Sequence, residues 1–302
     1  MQMYLPIAEI PINVLLLLVM GFGVGVLSGI FGVGGGFLLT PMLIVIGISP
    51  RVAIGTGASL VVASSVSGAL GHWRRGNMDL KMGLVLLSGG SCGTLRGVRA
   101  QQLLVTWGHL DSSIALLYAG VLGSIGSIML IEGVRAWRMN RAPITTGRRR
   151  VRHTWTQGLP LRVRFSRAKV YTSVVPVAVI GAFVEVLTAV MGVGGGFILV
   201  PALIYLLAVP TRIAIGTALC AVVFITAATT VLQATQNNSV DIVLGVFLLI
   251  SGVVGAQYGV RAAERILAES LRALLGLLVV GVALRMAAML VTEPNDLFNL
   301  GP

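Results

Sequence analysis

The chain of 302 residues is 56% hydrophobic and only 11% charged, with a mean hydropathy of +0.95. This composition excludes an ordinary soluble globular protein and predicts an integral membrane protein. The net charge of +12 does not indicate nucleic-acid binding, because half of the 22 Lys and Arg residues lie between residues 135 and 169, a stretch without acids. Such a cluster is typical of a cytoplasmic loop between membrane helices.

Eight apolar runs approach the roughly 20 residues that a helix needs to cross a bilayer. They cover residues 12–30, 52–70, 80–98, 114–131, 171–191, 213–232, 242–260 and 271–290. Two further apolar runs, 37–48 and 197–209, are too short to cross about 30 Å of hydrocarbon at about 1.5 Å per residue. We therefore predict an all-α polytopic membrane protein with eight to ten hydrophobic segments, of which two are broken or re-entrant helices.

The N-terminal residues show no basic region and no small-residue cleavage site, so they are predicted to start the first helix rather than to form a cleaved signal. Cys92 and Cys220 fall in two predicted crossings without metal-ligand spacing, which predicts small core residues and neither a disulfide framework nor a metal site. The sequence shows no catalytic constellation and no nucleotide-binding motif. We therefore expect no enzyme activity and no cofactor.

Glycine-rich breaks precede both short segments, "FGVGGGFLLTP" from Phe31 to Pro41 and "MGVGGGFILVP" from Met191 to Pro201. Each glycine weakens a helix by about 1 kcal/mol relative to Ala, and broken helix at membrane depth is tolerated only inside protein or along a cavity. A helix that begins after such a break directs its N–H groups and positive dipole end at the break, where an anion can bind. The alternative is close helix packing. The predicted substrate-binding glycines are Gly34, Gly35, Gly36, Gly194, Gly195 and Gly196.

The two glycine blocks belong to a longer repeat. "RVAIGTGAS" from Arg51 matches "RIAIGTALC" from Arg212, and "GNMDLKMGLVLL" matches "NSVDIVLGVFLL", which aligns Asp79 with Asp241. Matching blocks in one order predict two homologous halves. We assign residues 1–137 and 171–291 to the two transmembrane repeats, 138–170 to the basic cytoplasmic loop and 292–302 to a C-terminal tail. The distribution of positive charge favours inverted halves if the short segments cross, whereas their shortness favours re-entry.

Five further residues are candidates for function. Thr56 and Thr217 follow the short segments at matching positions and are predicted to contact substrate, with helix packing as the alternative. Arg51 and Arg212 either attract anions or anchor their helices at the interface. Glu185 lies inside a crossing, where a charge costs about 2.5–3.5 kcal/mol; it is predicted to be protonated at rest and to serve proton coupling, or else to be a neutral acid bonded to a neighbouring helix.

The stretch "GIFGVGGGFLLTPMLIVIGISPRVAIGTGASLVVASSVSGALGHWRRGNMDLKMG", together with "MGVGGGFILVPALIYLLAVPTRIAIGTAL", resembles the TauE/SafE sulfite exporter family, also described as a toluene-sulfonate uptake permease group. The resemblance covers about residues 11–290. It implies a multi-pass carrier of the bacterial inner membrane for anions such as sulfite, sulfonates or sulfoacetate. The matching positions are the six glycines, Thr56 and Thr217, whereas Glu185 and Arg96 depart from the small or apolar residues expected there.

The expected function is a secondary transporter that moves a small anion by alternating access at a site near the bilayer midplane. The expected partners are the anionic substrate and the lipid bilayer, with homo-oligomerisation left open. Two alternatives stand beside it. One is a passive anion channel, and the other is a membrane sensor or scaffold that docks a partner through the basic loop.

Overall fold

A computed structural model describes residues 2–8, 10–31, 34–108, 110–138, 161–168, 170–263 and 268–291. The chain divides into two compact units, one of residues 1–103 and 144–267 and the other of residues 104–143 and 268–302. Most of the predicted basic loop and the predicted tail lie outside the described residues, so the domain boundaries drawn there remain predictions.

The described residues form eleven α-helices, one π-helical turn and two β-hairpins. The helices are α1 Val14–Phe31, α2 Gly36–Val45, α3 Pro50–Arg74, α4 Leu80–Thr106, α5 Leu110–Leu117, α6 Gly123–Arg138, α7 Val174–Met191, α8 Gly196–Leu207, α9 Thr211–Gln236, α10 Ile242–Ala263 and α11 Ala268–Val291; the π-helical turn Tyr118–Leu122 joins α5 to α6. Both sequence halves run through a hairpin, a long helix, a short helix and two long helices in the same order.

The helical architecture confirms the predicted all-α polytopic fold. Each of the eight predicted crossings coincides with helix, the run 114–131 being divided among α5, the π-helical turn and α6. Among the described residues, six helices are long and apolar enough to cross a membrane, and the two short segments are short apolar helices, α2 and α8. The inverted relation of the halves remains a prediction.

Two short hairpins are the main departure from the predicted helices. β1 (Gln2–Tyr4) pairs with β2 (Pro11–Asn13), and β3 (Arg162–Phe165) pairs with β4 (Val170–Ser173), both antiparallel. The prediction that the N-terminal residues start the first helix is therefore wrong for the hairpin residues, and α1 begins only at Val14. Proline explains the difference at this end, because it lacks an N–H group and its ring clashes with a preceding helical turn.

The helices of the first unit meet through glycines. On α10, a side chain at Gly255 would overlap the carbonyl of Phe22 on α1; on α4, one at Gly93 would overlap the carbonyl of Ala182 on α7. Small residues spaced by four let helix backbones approach closely in membranes. The remaining glycines at these two contacts are Gly21, Gly25, Gly252 and Gly259 for α1 with α10, and Gly89, Gly97 and Gly181 for α4 with α7.

The second unit is a smaller bundle of α5, the π-helical turn, α6 and α11. Tyr118 and Leu122 of the π-helical turn are fully buried, and Gly126 of α6 lies against Val279 of α11. In the first unit, Cys220 is partly buried and Cys92 is exposed, and both are free thiols. The prediction of a core position is therefore wrong for Cys92, which lies on the outer side of α4.

Candidate functional site

The two glycine breaks meet in the interior of the first unit. Helix α2 begins at Gly36 and α8 begins at Gly196, and the rings of Phe37 and Phe197 stack with centroids 4.6 Å apart and planes inclined by 19°. A Cβ atom at Gly36 would lie 2.6 Å from the carbonyl oxygen of Val193 in the other break. The N-terminal ends of both short helices therefore converge on one buried region.

Backbone conformation explains why glycine occupies these breaks. Gly34, Gly35 and Gly194 have positive φ angles of 87°, 54° and 75°, which side-chain-bearing residues adopt only with strain. Two of the backbone N–H groups at the breaks already have acceptors. The Gly36 N–H donates to the Gly34 carbonyl, and the Phe197 N–H donates to the Gly194 carbonyl.

The prolines that follow the breaks lie within the short helices. Pro41 belongs to α2 and Pro201 to α8. Since proline carries no N–H, it leaves the carbonyl four residues earlier without its helical hydrogen bond, at Phe37 in α2 and at Phe197 in α8.

A small cavity adjoins the second break. The volume that the centre of a water molecule can occupy in it is about 10 Å³, which is roughly enough for one water. Helices α3, α7 and α9 and the break between α7 and α8 form its walls. The lining residues are Ile54, Ala58, Glu185, Thr188, Ala189, Gly192, Gly194, Thr226 and Thr229.

Glu185 is the one acidic residue in this lining, and its side chain is only 1% exposed. Its Oε2 accepts a hydrogen bond of 2.8 Å from the Thr188 hydroxyl, one turn further along α7. Its Oε1 has no hydrogen-bond partner among the described residues and lies over Gly195, where a Cβ atom would overlap it. The acid is thus bonded within its own helix, not to a neighbouring helix as the alternative interpretation of the sequence expected.

The first break has different surroundings. Gly34 lies against Ser65 and Val61 of α3, and Gly35 lies against Ser28 of α1. The Ser65 hydroxyl is fully buried and has no hydrogen-bond partner in the part of the chain that the structure describes. The two breaks are therefore chemically unequal, with a hydroxyl group beside the first and a carboxyl group beside the second.

Thr56 and Thr217 hold equivalent positions in a pair of reciprocal contacts. The Asp241 N–H donates to Thr56 Oγ1, and the Asp79 N–H donates to Thr217 Oγ1, each over 3.0 Å. Both threonines are fully buried. Each hydroxyl thus joins the middle of one half to the start of α4 or α10 in the other half.

The two aspartates extend these contacts to the hairpins. Asp79 Oδ2 accepts from the N–H groups of Arg167 and Ala168 in the turn between β3 and β4. Asp241 Oδ2 accepts from Ile7 and Ala8, in the turn after β1. Sequence alignment of the halves pairs Asp79 with Asp241 but predicted no role for them. Their hydrogen-bond donors lie 88–89 and 233–234 residues away along the chain, so no local pattern indicates these contacts.

We predict that Thr217→Val destabilises the protein by about 1–3 kcal/mol, because it leaves the buried Asp79 N–H without an acceptor. Thr217→Ser keeps the hydroxyl and serves as the matched control. Thermal unfolding of the purified proteins in detergent measures the difference. A valine variant as stable as the serine variant would show that this hydrogen bond contributes little.

Both candidate arginines, Arg51 and Arg212, are exposed. The Arg51 guanidinium donates to the carbonyl oxygen of Asn237, just beyond the end of α9, where a positive charge is favourable next to the helix C-terminus. The Arg51 contact favours structural anchoring at that position, and attraction of anions by either arginine remains a prediction.

Comparison with known proteins places the chain among membrane transporters. The family profile described as "Sulfite exporter TauE/SafE" matches residues 17–286. A "Probable membrane transporter protein" of Xylella fastidiosa (strain 9a5c) is 28% identical over 87% of this chain and 89% of its own length. "Probable membrane transporter protein YjnA" of Bacillus subtilis (strain 168) is 28% identical over 82% of this chain and 90% of its own length. "Sulfite exporter TauE/SafE family protein 1" of Arabidopsis thaliana is 47% identical over 19% of this chain and 13% of its own length. No solved structure matches the chain significantly.

Proposed function

The chain belongs to the TauE/SafE sulfite exporter family, and we propose that it is a secondary transporter that moves sulfite, a sulfonate or a related small organic anion. It is a multi-pass membrane protein and a transporter of this family's type. We place it in the plasma membrane of a bacterium.

One observation carries the proposal: the starts of α2 and α8 converge on one buried region, as the stacked Phe37 and Phe197 rings indicate. Two helix N-termini bring two positive dipole ends to the same place, which favours an anion. We assign substrate contacts to Gly34–Gly36, Gly194–Gly196 and the hydroxyls of Thr56 and Thr217. Each threonine oxygen accepts a backbone N–H here, so the hydroxyl hydrogen is the part that would bind an anion.

The small volume of the cavity bears on mechanism. Room for about one water does not hold a sulfonate, so binding requires a conformation in which the two breaks separate. We propose alternating access, in which the halves expose the region between the breaks first to one side of the membrane and then to the other.

We expect purified protein in liposomes to exchange labelled sulfite, an aryl sulfonate or a small carboxylate, and unlabelled anion on the opposite side to accelerate the exchange. Such trans-acceleration follows from a carrier that returns faster when loaded. Uptake of the label by protein-containing and protein-free liposomes is the measurement. A channel would instead give large unitary currents in a planar bilayer without trans-acceleration, and absence of movement for all three anions would contradict the proposal.

A further inference from the structure

We infer that Glu185 carries the proton that drives this transport, and that this proton is bound and released at the cavity beside it. The inference rests on the proposed function and adds to it the identity of the coupling ion. Glu185 aligns with Gly25 in the other half, so this feature occurs once in the chain.

Among the residues that the structure describes, none near Glu185 carries a charge that could balance a carboxylate. Each element packed against it presents apolar, glycine or hydroxyl groups. In the part of the chain that the structure describes, these are Ile54 and Ala58 from α3, Gly90 from α4, Thr188 from α7, Gly192, Gly194 and Gly195 from the break, and Val222, Thr226 and Thr229 from α9. Since none of them titrates and the side chain is 1% exposed, an ionised carboxylate there would be uncompensated, and the neutral acid is favoured.

The hydrogen-bond pattern assigns the acidic proton to one oxygen. Oε2 already accepts from Thr188, whereas Oε1 has no hydrogen-bond partner in the described ranges of the chain. The proton therefore belongs on Oε1, which lies over Gly195 in the second break. Opening of this break would bring water to the oxygen that releases the proton.

The hydroxyls of Thr226 and Thr229 in the cavity wall suit a hydrogen-bond donor better than an anion. The Thr226 hydroxyl donates to the Val222 carbonyl over 2.6 Å, and the Thr229 hydroxyl donates to the Ile225 carbonyl over 2.9 Å. With their hydrogens committed, these groups can offer only lone pairs to the cavity. Lone pairs bind a protonated acid or a water molecule and repel an oxyanion.

These features give a direction of coupling. With the breaks adjoining, a carboxylate at Glu185 weakens the binding of an anion in the same buried region by Coulomb repulsion, on the order of tenfold. The protonated acid is neutral and does not weaken the binding of the anion. Anion and proton therefore bind together, and the complete step is release of both to water on one side, followed by return of the carrier and reprotonation of Oε1 from water on the other side.

The test compares wild-type protein, Glu185→Gln and Glu185→Asp in liposomes, with Glu132→Gln as the control for loss of an exposed carboxylate. We expect a pH gradient, acidic on the side of entry, to drive accumulation of sulfite by wild type, Glu185→Asp and Glu132→Gln. In Glu185→Gln, under a gradient of about one pH unit, we expect the ratio of accumulation to exchange to fall by about tenfold, which is the factor that one proton per anion supplies. Loss of folded protein lowers both quantities and leaves that ratio unchanged.

Two outcomes would overturn the inference while leaving the transporter intact. One is accumulation by Glu185→Gln that follows the pH gradient as in wild type. The other is accumulation driven by a sodium gradient at equal pH, which would make the coupling ion sodium.

Infrared spectroscopy tests the protonated acid even if wild type moves none of the anions. We expect a carboxylic-acid C=O band at neutral pH that disappears in Glu185→Gln and persists in Glu132→Gln. Identical spectra in this region for wild type and Glu185→Gln would exclude a proton on Glu185.

Discussion

Gly255→Val should destabilise the first unit by forcing α1 away from α10. A Cβ atom at this position would overlap the carbonyl oxygen of Phe22 and lie 3.0 Å from the Val26 nitrogen, both in the backbone of α1. Backbone atoms cannot turn aside as the end of a side chain can, so α1 and α10 must separate. Overpacking a well-packed interior typically costs about 1–3 kcal/mol and sometimes more, and separation also exposes the neighbouring glycine contacts along both helices.

The matched control is Gly23→Val on α1, where a Cβ atom would meet nothing within 4 Å. We expect Gly23→Val to purify as a monodisperse protein with wild-type thermal stability, and Gly255→Val to aggregate or to unfold at a markedly lower temperature. Size-exclusion chromatography and thermal unfolding in detergent measure both. Equal behaviour of the two variants would mean that α1 and α10 do not pack through their glycines.

Sequence patterns were sufficient to predict where the helices lie and where the glycine-rich breaks interrupt them. Apolar length predicted the long helices, and the glycine runs at residues 34–36 and 194–196 predicted where α2 and α8 begin, because helix weakening by glycine is a local effect. The hairpins were missed since strands of three or four residues carry too short a pattern to compete with an adjoining apolar run.

The contacts between halves could not be predicted in the same way. Asp79 and Asp241 were aligned by the repeat, yet their hydrogen bonds reach hairpins of the opposite half, and only the folded chain brings these together. The spacing of Gly89, Gly93 and Gly97 did carry a readable signal for close helix packing. Glu185 was recognisable as an acid at membrane depth, but the free Oε1 and its position over Gly195 depend on tertiary structure.

Gly195→Ala should abolish coupled transport while leaving the fold intact. Gly195 has φ −48° and ψ −26°, an ordinary helical conformation that alanine adopts without strain. The added methyl group would overlap Glu185 Oε1 and contact Val222 at 3.4 Å. Since Oε1 ends a flexible side chain, the carboxyl group moves away and the backbone stays in place. We therefore expect wild-type thermal stability and, under a gradient of about one pH unit, a ratio of anion accumulation to anion exchange that is about tenfold lower than in wild type.

Two alanine variants separate this effect from glycine replacement in general. Gly23→Ala adds a methyl group to open space and should transport as wild type does. Gly35→Ala adds a methyl group at a φ of 54°, where alanine is strained by about 1–2 kcal/mol. We therefore expect this variant to unfold at a lower temperature than wild type. If Gly195→Ala accumulates anion as well as Gly23→Ala does, the carboxyl group over the second break has no part in coupling, because its displacement is then without consequence.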